Sequence, residues 1–312
     1  MASEPPAPAT TPTLAEVVRT LDGLYPPSTA EDWDAVGLVA GDPGARVRKV
    51  LLAVDPVEDV ADEALDWGAD LLVTHHPLFL RPVHSVAATT FKGSLVHRLI
   101  RGGCALYVAH TNADAAERGV ADALADALDL LHRVPLVPHA APQRAGGPPR
   151  AVTTGTGRVG RLAAPTTLRA FAEQVAAVLP ATAQGVRVAG DLDARVESVA
   201  VVGGSGDSLF DAVRGSGADV YVTSDLRHHP VSELRERAVL EAATTGGPAT
   251  PYLVDVPHFA SEWPWLRYAA EDLVRALAER GEHVETRVST TPTDPWTARI
   301  PSAPSAAARP TP

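Results

Sequence analysis

The amino-acid sequence predicts an α/β protein built from two similar lobes. Three observations support this class: apolar, strand-like runs alternate with helix-like segments, short motifs recur at one constant spacing, and polar residues follow several of the predicted strands. Alternation of strands and helices is typical of a mainly parallel sheet with helices on its faces. The recurring motifs indicate that the two lobes arose by internal duplication.

The composition is that of a folded, water-soluble protein. Of the 312 residues, 45% are hydrophobic and 21% are charged, and the formal net charge of -11 gives no signal for nucleic-acid binding. No apolar run approaches the roughly 20 residues of a membrane helix, and the N-terminus does not have the basic and apolar regions of a secretory signal. We therefore expect a cytoplasmic protein without a membrane partner, in which Cys104 is a buried thiol.

The first lobe is predicted over residues 13–131, after a Pro-, Ala- and Thr-rich tail over residues 1–12 that we expect to be disordered. Thr13 and Glu16 form a capping-box pattern at the start of the first helix, and Gly68 is placed to end the second. Asp34 lies in an acidic loop and is interpreted as a turn residue, with a role in the site as the alternative. The predicted helices cover residues 14–24, 58–67, 94–101 and 119–131, and the predicted strands cover residues 47–55, 69–76 and 105–109.

A linker is predicted over residues 132–156, where prolines and a glycine pair replace the apolar periodicity. The second lobe is predicted over residues 157–288, and a second disordered tail over residues 289–312. Its predicted strands cover residues 158–162, 186–189, 196–202, 218–223 and 252–256, and its predicted helices cover residues 167–179, 209–216, 232–243 and 265–280.

The duplication is read from matches between the two lobes at one constant spacing. Arg46-Val47-Arg48-Lys49-Val50 corresponds to Arg195-Val196-Glu197-Ser198-Val199, and Gly68-Ala69-Asp70 corresponds to Gly217-Ala218-Asp219. One residue out of step, each lobe also has an apolar strand followed by a histidine and, four residues later, a carboxylate. Because each match lies in the same strand and helix context, we interpret the lobes as two copies of one unit.

Four of the predicted strand ends carry polar clusters, which contain more than half of the 11 histidines. The clusters are His75 with His76, His110 with Asp114, Asp225 with His228 and His229, and His258 with Glu262. Ligands of open α/β sheets bind at the carboxyl ends of the strands, so these clusters are candidates for one site.

Imidazole and carboxylate groups that converge at one point suit divalent transition metals such as Zn, Fe or Mn. Adjacent residues of a strand face opposite ways, so His75 and His76 suit two ions better than one. A carboxylate can bridge two ions about 3.5–4 Å apart. The sequence therefore predicts a site between the lobes for one divalent metal ion or a pair of them. The alternative is an ordinary α/β protein with solvated histidines.

Two glycine-rich stretches offer other chemistry. Gly204, Ser205 and Gly206 form a turn between a strand and a helix and are candidates for binding an anion. The Gly-x-Ser-x-Gly spacing of a nucleophile elbow is broken there. The Gly-x-Gly-x-x-Gly spacing over residues 155–160 precedes a strand rather than a helix, so we discount a dinucleotide site.

Several motifs together resemble one known family. They are Trp33-Asp34-Ala35-Val36-Gly37-Leu38, Thr74-His75-His76-Pro77-Leu78, His110-Thr111-Asn112-Ala113-Asp114, Gly203-Gly204-Ser205-Gly206, Thr223-Ser224-Asp225 with His228-His229, and His258-Phe259-Ala260-Ser261-Glu262-Trp263. In this combination and order the chain resembles the NIF-three-like (NGG-interacting-factor-three-like) dinuclear metal-centre family, often labelled GTP cyclohydrolase 1 type 2 homologues. Three positions depart from the family pattern: Ala35, Ser224 and Pro257.

The resemblance implies a two-lobed subunit with a metal pair, assembled into a toroidal homo-hexamer. The ligands that it implies are His75, His76, Asp114, His258 and a bridging Glu262. It places His110, Asp225, His228 and His229 near the pocket, as catalytic groups or as supports of the ligands.

From the residues and the resemblance together we expect a metal-dependent hydrolase. Its small-molecule substrate would be a nucleotide, as for a GTP cyclohydrolase, or a phosphoester. Two ions would polarise a substrate oxygen and lower the pKa of a water molecule. The alternative is a metal-binding or regulatory ring protein without catalysis, which would use the same ligands.

Overall fold

Two β-sheets with helices packed on them form the computed structural model, which describes residues 10–139 and 153–301. Residues 1–9, 140–152 and 302–312, which include parts of the predicted tails and linker, lie outside the described residues. No helix in the described ranges is both long and apolar enough to cross a membrane.

The first sheet has the strand order β1-β4-β3-β2-β11. Its strands are β1 (Gly37–Ala40), β2 (Lys49–Ala53), β3 (Leu71–Thr74), β4 (Ala105–Val108) and β11 (Glu285–Val288). All neighbours are parallel except β1 and β4. The helices of this half are α1 (Leu14–Leu24), α2 (Glu58–Trp67), α3 (Phe91–Arg101), α4 (Thr111–Ala115) and α5 (Val120–Ala127). Every residue of β3 and β4 is buried, as expected for parallel strands that are covered on both faces.

The second sheet has the strand order β5-β6-β8-β9-β10-β7. Its strands are β5 (Leu131–Pro138), β6 (Gly155–Thr167), β7 (Arg187–Ala189), β8 (Arg195–Ser205), β9 (Val220–Ser224) and β10 (Tyr252–Val256). The central strands β8, β9 and β10 are parallel, and the outer strands pair antiparallel. The helices are α6 (Leu168–Val178), α7 (Phe210–Ser216), α8 (His228–Thr245), α9 (His258–Glu262) and α10 (Trp265–Ala278).

Local sequence signals explain the element boundaries that were predicted well. The Thr13 hydroxyl accepts from the Glu16 amide while the Glu16 carboxylate accepts from the Thr13 amide, so the predicted capping box starts α1. Gly68 ends α2 in the left-handed conformation. The predicted α/β class is confirmed. Helices α5 and α8 differ from the predictions, because α5 ends before residue 131 and α8 begins at His228 rather than at residue 232.

The two sheets repeat one side-chain arrangement. Asp70 accepts hydrogen bonds from the backbone N–H groups of Arg48 and Lys49, at 2.8 and 3.1 Å. Asp219 accepts from the N–H groups of Glu197 and Ser198, at 2.9 and 2.8 Å. In both cases the aspartate before one central strand caps the start of its neighbour. This repetition supports the duplication, which stays a prediction.

Strand β5 lies where the sequence analysis predicted a linker. It pairs antiparallel with β6 and forms one edge of the second sheet. Its residues Pro135 and Pro138 explain why the composition resembled a linker, since proline is tolerated on edge strands. The described part of the predicted linker is therefore largely sheet.

Both predicted tails contain ordered residues next to the lobes. The Thr10 amide donates to the Gly281 carbonyl, at 2.9 Å, and the Val47 amide donates to the Pro12 carbonyl, at 3.0 Å. After β11, Ser289 is buried and its amide donates to the Leu52 carbonyl. Long-range hydrogen bonds thus hold residues 10–12 and 289–293, which departs from the disorder predicted for these parts of the tails.

The C-terminal part of the second half packs on the first sheet. Strand β11 pairs with β2, and Trp265 and Leu273 of α10 join the core that contains Leu14 and Val17 of α1. Both elements lie within residues 157–288, the range predicted as the second lobe. As a result the carboxyl ends of β3 and β4 face the loop between β10 and α10.

Candidate metal centre

The candidate ligands come from strand ends of both sheets. His75 and His76 directly follow β3, and their N–H groups donate to carbonyls of residues 53 and 54. The backbone therefore stays extended, and the two imidazoles leave it in different directions. His258 and Glu262 are the first and last residues of α9, one turn apart, so their side chains meet on one face.

The Glu262 carboxylate lies at the centre of the cluster. Its Oε1 lies 3.0 Å from His258 Nε2 and 3.4 Å from His75 Nε2, and its Oε2 lies 3.1 Å from His76 Nε2. The Nε2 atoms of His76 and His258 are 3.2 Å apart. Asp114 approaches from α4, with Oδ1 3.7 Å from His75 Nε2. Five groups from two sheets thus converge in a space of a few ångströms.

Each histidine is held from behind through its Nδ1 atom. The acceptors are the Ala109 carbonyl for His75 at 2.9 Å, Asp55 for His76 at 2.7 Å, Asp225 for His258 at 2.7 Å and Asp34 for His110 at 2.9 Å. An Nδ1–H that donates outward leaves the Nε2 lone pair directed to the centre. Metal-binding histidines are oriented in this way by a carboxylate or carbonyl behind them.

Several polar atoms of the cluster are buried without a hydrogen bond. His75 Nε2, Asp114 Oδ1 and Glu262 Oε2 make none with the described residues. A buried polar atom without a partner costs about 1–3 kcal/mol. These atoms are of the types that coordinate divalent metal ions, so the donor set and its unsatisfied atoms fit a metal centre.

Strong electrostatic coupling links the histidines to the central carboxylate. Burial opposes protonation of His75 and His76, but the negative charge of Glu262 outweighs it and raises the pKa of both imidazoles. For His258, too, burial lowers the pKa, but the negative charge of Glu262 outweighs burial and raises it to about 10. Burial works against the ionised form of Glu262, yet the surrounding histidines keep its pKa well below the ordinary value. Burial raises the pKa of Asp114.

Most of the sequence-predicted site residues lie together, and two do not. His75, His76, Asp114, His258, Glu262, His110 and Asp225 all belong to the cluster or contact it. His228 and His229 are exposed at the start of α8, where their rings lie 5.1 Å apart. His228 lines a different cavity, beside Arg187 and Arg227. Within the described residues no hydrogen bond or ion pair joins this pair to the cluster, and its expected place near the pocket stays a prediction.

The glycine-rich stretch at the end of β8 packs closely against the cluster. The Gly204 amide donates to Ser261 Oγ at 2.9 Å, and the Gly206 amide donates to the Ser224 carbonyl at 3.4 Å. Both N–H groups are thus engaged within the protein, and anion binding around Ser205 stays a prediction. Gly204 has a φ of +68°, and a Cβ there would lie 2.6 Å from Glu262 Oε1. Glycine is needed because the turn passes directly against the central carboxylate.

Two supporting aspartates were missed or undervalued. Asp34, interpreted as a turn residue, accepts from His110 Nδ1 and from the amide and hydroxyl of Thr111. Asp55, which holds His76, was not selected. It lies two residues after the end of β2, so the rule that ligands gather at strand ends would have found it.

Known proteins with similar sequences and folds point to one family. The family model of Duf34/NIF3 (NGG1p interacting factor 3) matches residues 12–295. A Streptomyces coelicolor protein named GTP cyclohydrolase 1 type 2 homolog is 52% identical, over 95% of this chain and 98% of that protein. A Mycobacterium tuberculosis protein of the same name is 37% identical, over 91% of this chain and 96% of that protein.

Solved structures agree with the sequence comparison. The crystal structure of a Bacillus cereus protein related to NIF3 superimposes with a TM-score of 0.80 at 25% identity, covering 92% of this chain and 99% of that one. A Staphylococcus aureus protein superimposes with a TM-score of 0.78 at 27% identity, covering 94% of this chain and all of that one. The predicted family resemblance is confirmed, and the chain belongs to the Duf34/NIF3 family.

Proposed function

We propose that this protein binds two divalent metal ions and uses them to hydrolyse a small-molecule substrate, a nucleotide or a phosphoester. The observation that carries the proposal is the convergence of three histidine Nε2 atoms on the buried Glu262, while each Nδ1 atom is held by an acceptor behind it. An arrangement that directs lone pairs inward suits metal binding better than a salt-bridge network.

The candidate ligands divide into two groups that share one carboxylate. Asp114 lies beside His75, whereas His258 lies beside His76. Glu262 contacts all three histidines and is suited to bridge two ions. Ions bound there, of Zn, Fe or Mn, would act as Lewis acids and supply a nucleophilic water at neutral pH.

Protein groups around the ligands can position substrate and move protons. His110 is mostly buried, its ring centroid lies 5.2 Å from that of His75, and Asp34 holds its Nδ1. Its Nε2 is therefore free to accept or donate a proton close to the metal ligands. Asp55 and Asp225 keep the imidazoles of His76 and His258 in place.

The names of the relatives support a nucleotide as the first substrate to test. The Streptomyces coelicolor and Mycobacterium tuberculosis proteins are both named GTP cyclohydrolase 1 type 2 homolog. We extend this substrate class to the present chain as part of the proposal. Deep burial of His75 and Glu262 favours the second candidate function, a metal-binding or regulatory protein without turnover.

We also propose that the chain assembles into a homo-hexamer in the cytoplasm, as the family resemblance implies. Strand β5 is an edge of the second sheet and exposes Leu131 and Val134. An exposed apolar edge strand is suited to contact a second copy of the chain. Light scattering coupled to size-exclusion chromatography measures the assembly, and a monomer would refute it.

The test is to purify the protein with Fe, Mn or Zn, to measure its metal by elemental analysis, and to assay GTP and a panel of phosphoesters. We expect two ions per chain and metal-dependent turnover that His76→Ala abolishes. The matched control is His84→Ala, because His84 is exposed and outside the cluster. Two ions without turnover on any substrate would favour the non-catalytic function, and metal content near zero would refute both.

A further inference from the structure

We propose that the C-terminal segment over residues 289–296 forms a wall of the substrate pocket and selects the ligand. In this wall the Asp294 carboxylate accepts hydrogen bonds from the N–H edge of a planar ligand, and the Trp296 indole covers the ring. The inference rests on the proposed function, because the pocket is the mouth of the candidate metal centre.

The segment is fixed at its start by contacts with both halves of the molecule. The Ser289 amide donates to the Leu52 carbonyl at 2.8 Å, and the Ser289 carbonyl accepts from Trp263 Nε1 at 2.9 Å. The hydroxyls of Ser289 and Thr291 both donate to Glu63 Oε2, at 2.6 and 3.0 Å. The chain therefore leaves β11 along a defined path.

That path leads to the supports of the metal ligands. The Thr293 hydroxyl donates to Asp55 Oδ2, and the other oxygen of Asp55 accepts from His76 Nδ1. The next residue, Asp294, lines a cavity of about 260 Å³ together with Asp55, Asp225, His76, His258 and Trp296. The segment is thus connected to a candidate ligand through a single side chain.

An unpaired acceptor in the pocket wall favours a ligand that donates hydrogen bonds. Three carboxylates line the cavity, and no Lys or Arg is among its described lining residues. Asp55 and Asp225 are occupied by His76 and His258, whereas Asp294 Oδ2 makes no hydrogen bond with a described residue. Burial and the negative charges of the two other aspartates raise the pKa of Asp294, and a donor or a cation would relieve both effects.

The shape of the wall narrows the ligand class further. A carboxylate is an acceptor with two oxygens, so it pairs best with two adjacent N–H groups, such as those of an amidine-type edge on a heterocycle. The Trp296 side chain beside it is 63% exposed, which leaves indole surface for stacking on a flat ring. A cavity of this size is at the small end of ligand pockets and suits one ring system.

The experiment measures binding of guanosine and inosine to the metal-loaded, full-length protein by calorimetry. The two nucleosides differ by one exocyclic amino group, which supplies the second N–H donor. We expect guanosine to bind at least tenfold tighter than inosine, and Asp294→Asn to remove this preference. Asp211→Asn is the matched control, because Asp211 is almost fully exposed and far along the chain in α7.

The outcomes separate this inference from the proposed function. Equal affinity for the two nucleosides, binding of neither, or an unchanged preference in Asp294→Asn overturns the role of Asp294. Trp296→Ala is expected to weaken the binding of both nucleosides equally. Unchanged binding in this variant overturns the role of the ring. Loss of the preference with metal content unchanged at two ions supports the inference. An Asp294-dependent preference in a protein without metal would refute the proposed function alone.

Discussion

Replacement of Glu262 by glutamine tests the candidate centre most directly. The variant keeps the volume of the side chain but removes the charge that three histidines surround. Because Glu262 is suited to ligate both ions, we expect both to be weakened together rather than one alone. The purified variant should therefore contain fewer than two ions per chain.

The size of the effect follows from the position of the residue. Removing a group that only supports a metal-binding histidine lowers metal affinity about 10–100-fold. Asp55, behind His76, is such a group, so Asp55→Asn should lie in that range. A residue that contacts the ions directly should exceed its upper end, so Glu262→Gln should cost more than about 100-fold, or roughly 2.7 kcal/mol.

The assay is competition with a chromophoric chelator, followed by elemental analysis. Glu271→Gln is the matched control, since Glu271 is about half exposed and outside the cluster. A second readout uses the metal-free protein: nuclear magnetic resonance titration should show that the pKa of His258, raised to about 10 mainly by Glu262 against the effect of burial, falls in the variant. A Glu262→Gln protein that keeps two ions at wild-type affinity would refute the assignment of this carboxylate.

Three further variants probe the surroundings of the site. Burial raises the pKa of Asp34, but hydrogen bonds from His110 and Thr111 outweigh this effect and lower the pKa below its ordinary value. The contribution of Asp34 to the stability of the folded protein is therefore present above about pH 4 and is lost at lower pH. Asp34→Asn should lower the free energy of unfolding by about 2 kcal/mol at pH 6, and urea titrations should show this difference shrinking below pH 4. Arg158 is buried and donates to a carboxylate and to several carbonyls, so Arg158→Met should destabilise the protein by about 3–5 kcal/mol in the same assay. Gly204→Ala places a Cβ against Glu262 and forces a positive φ, which should cost about 1–2 kcal/mol and lower the measured metal content; full metal content would contradict the close packing described here.

The sequence predicts those parts of the fold that local signals define. Helix α1 matches its prediction at both ends, because Thr13 and Glu16 cap its start and Tyr25-Pro26-Pro27 follows its end. Strand β10 matches because an apolar run is bounded by turn residues. Strand β11 was missed because it is an edge strand that buries little of its surface. Residues 289–296 were missed because their order depends on distant partners such as Glu63, which no local pattern reveals.

The candidate site was predictable wherever a polar residue follows a buried strand. That rule selected His75, His76, His110 and His258, and it applies equally to Asp55. It fails for Asp294, which follows an edge strand in a segment that resembles a tail in composition. His228 and His229 show the limit of proximity in sequence: they lie close to Asp225 along the chain, yet His228 lines a different cavity from Asp225.

Strand β11 lies late in the sequence but belongs to the first sheet, so this sheet is completed late during synthesis. Chains emerge from the ribosome N-terminus first, at about 5–20 residues per second, and early segments begin to fold before later ones exist. The first sheet receives β11 only after the entire second sheet has been synthesised. The pocket wall, which follows β11, is later still. A chain that ends between residues 262 and 296 would carry all the candidate metal ligands but an incomplete pocket wall, so the proposed metal loading would be able to precede the proposed substrate selection during biosynthesis.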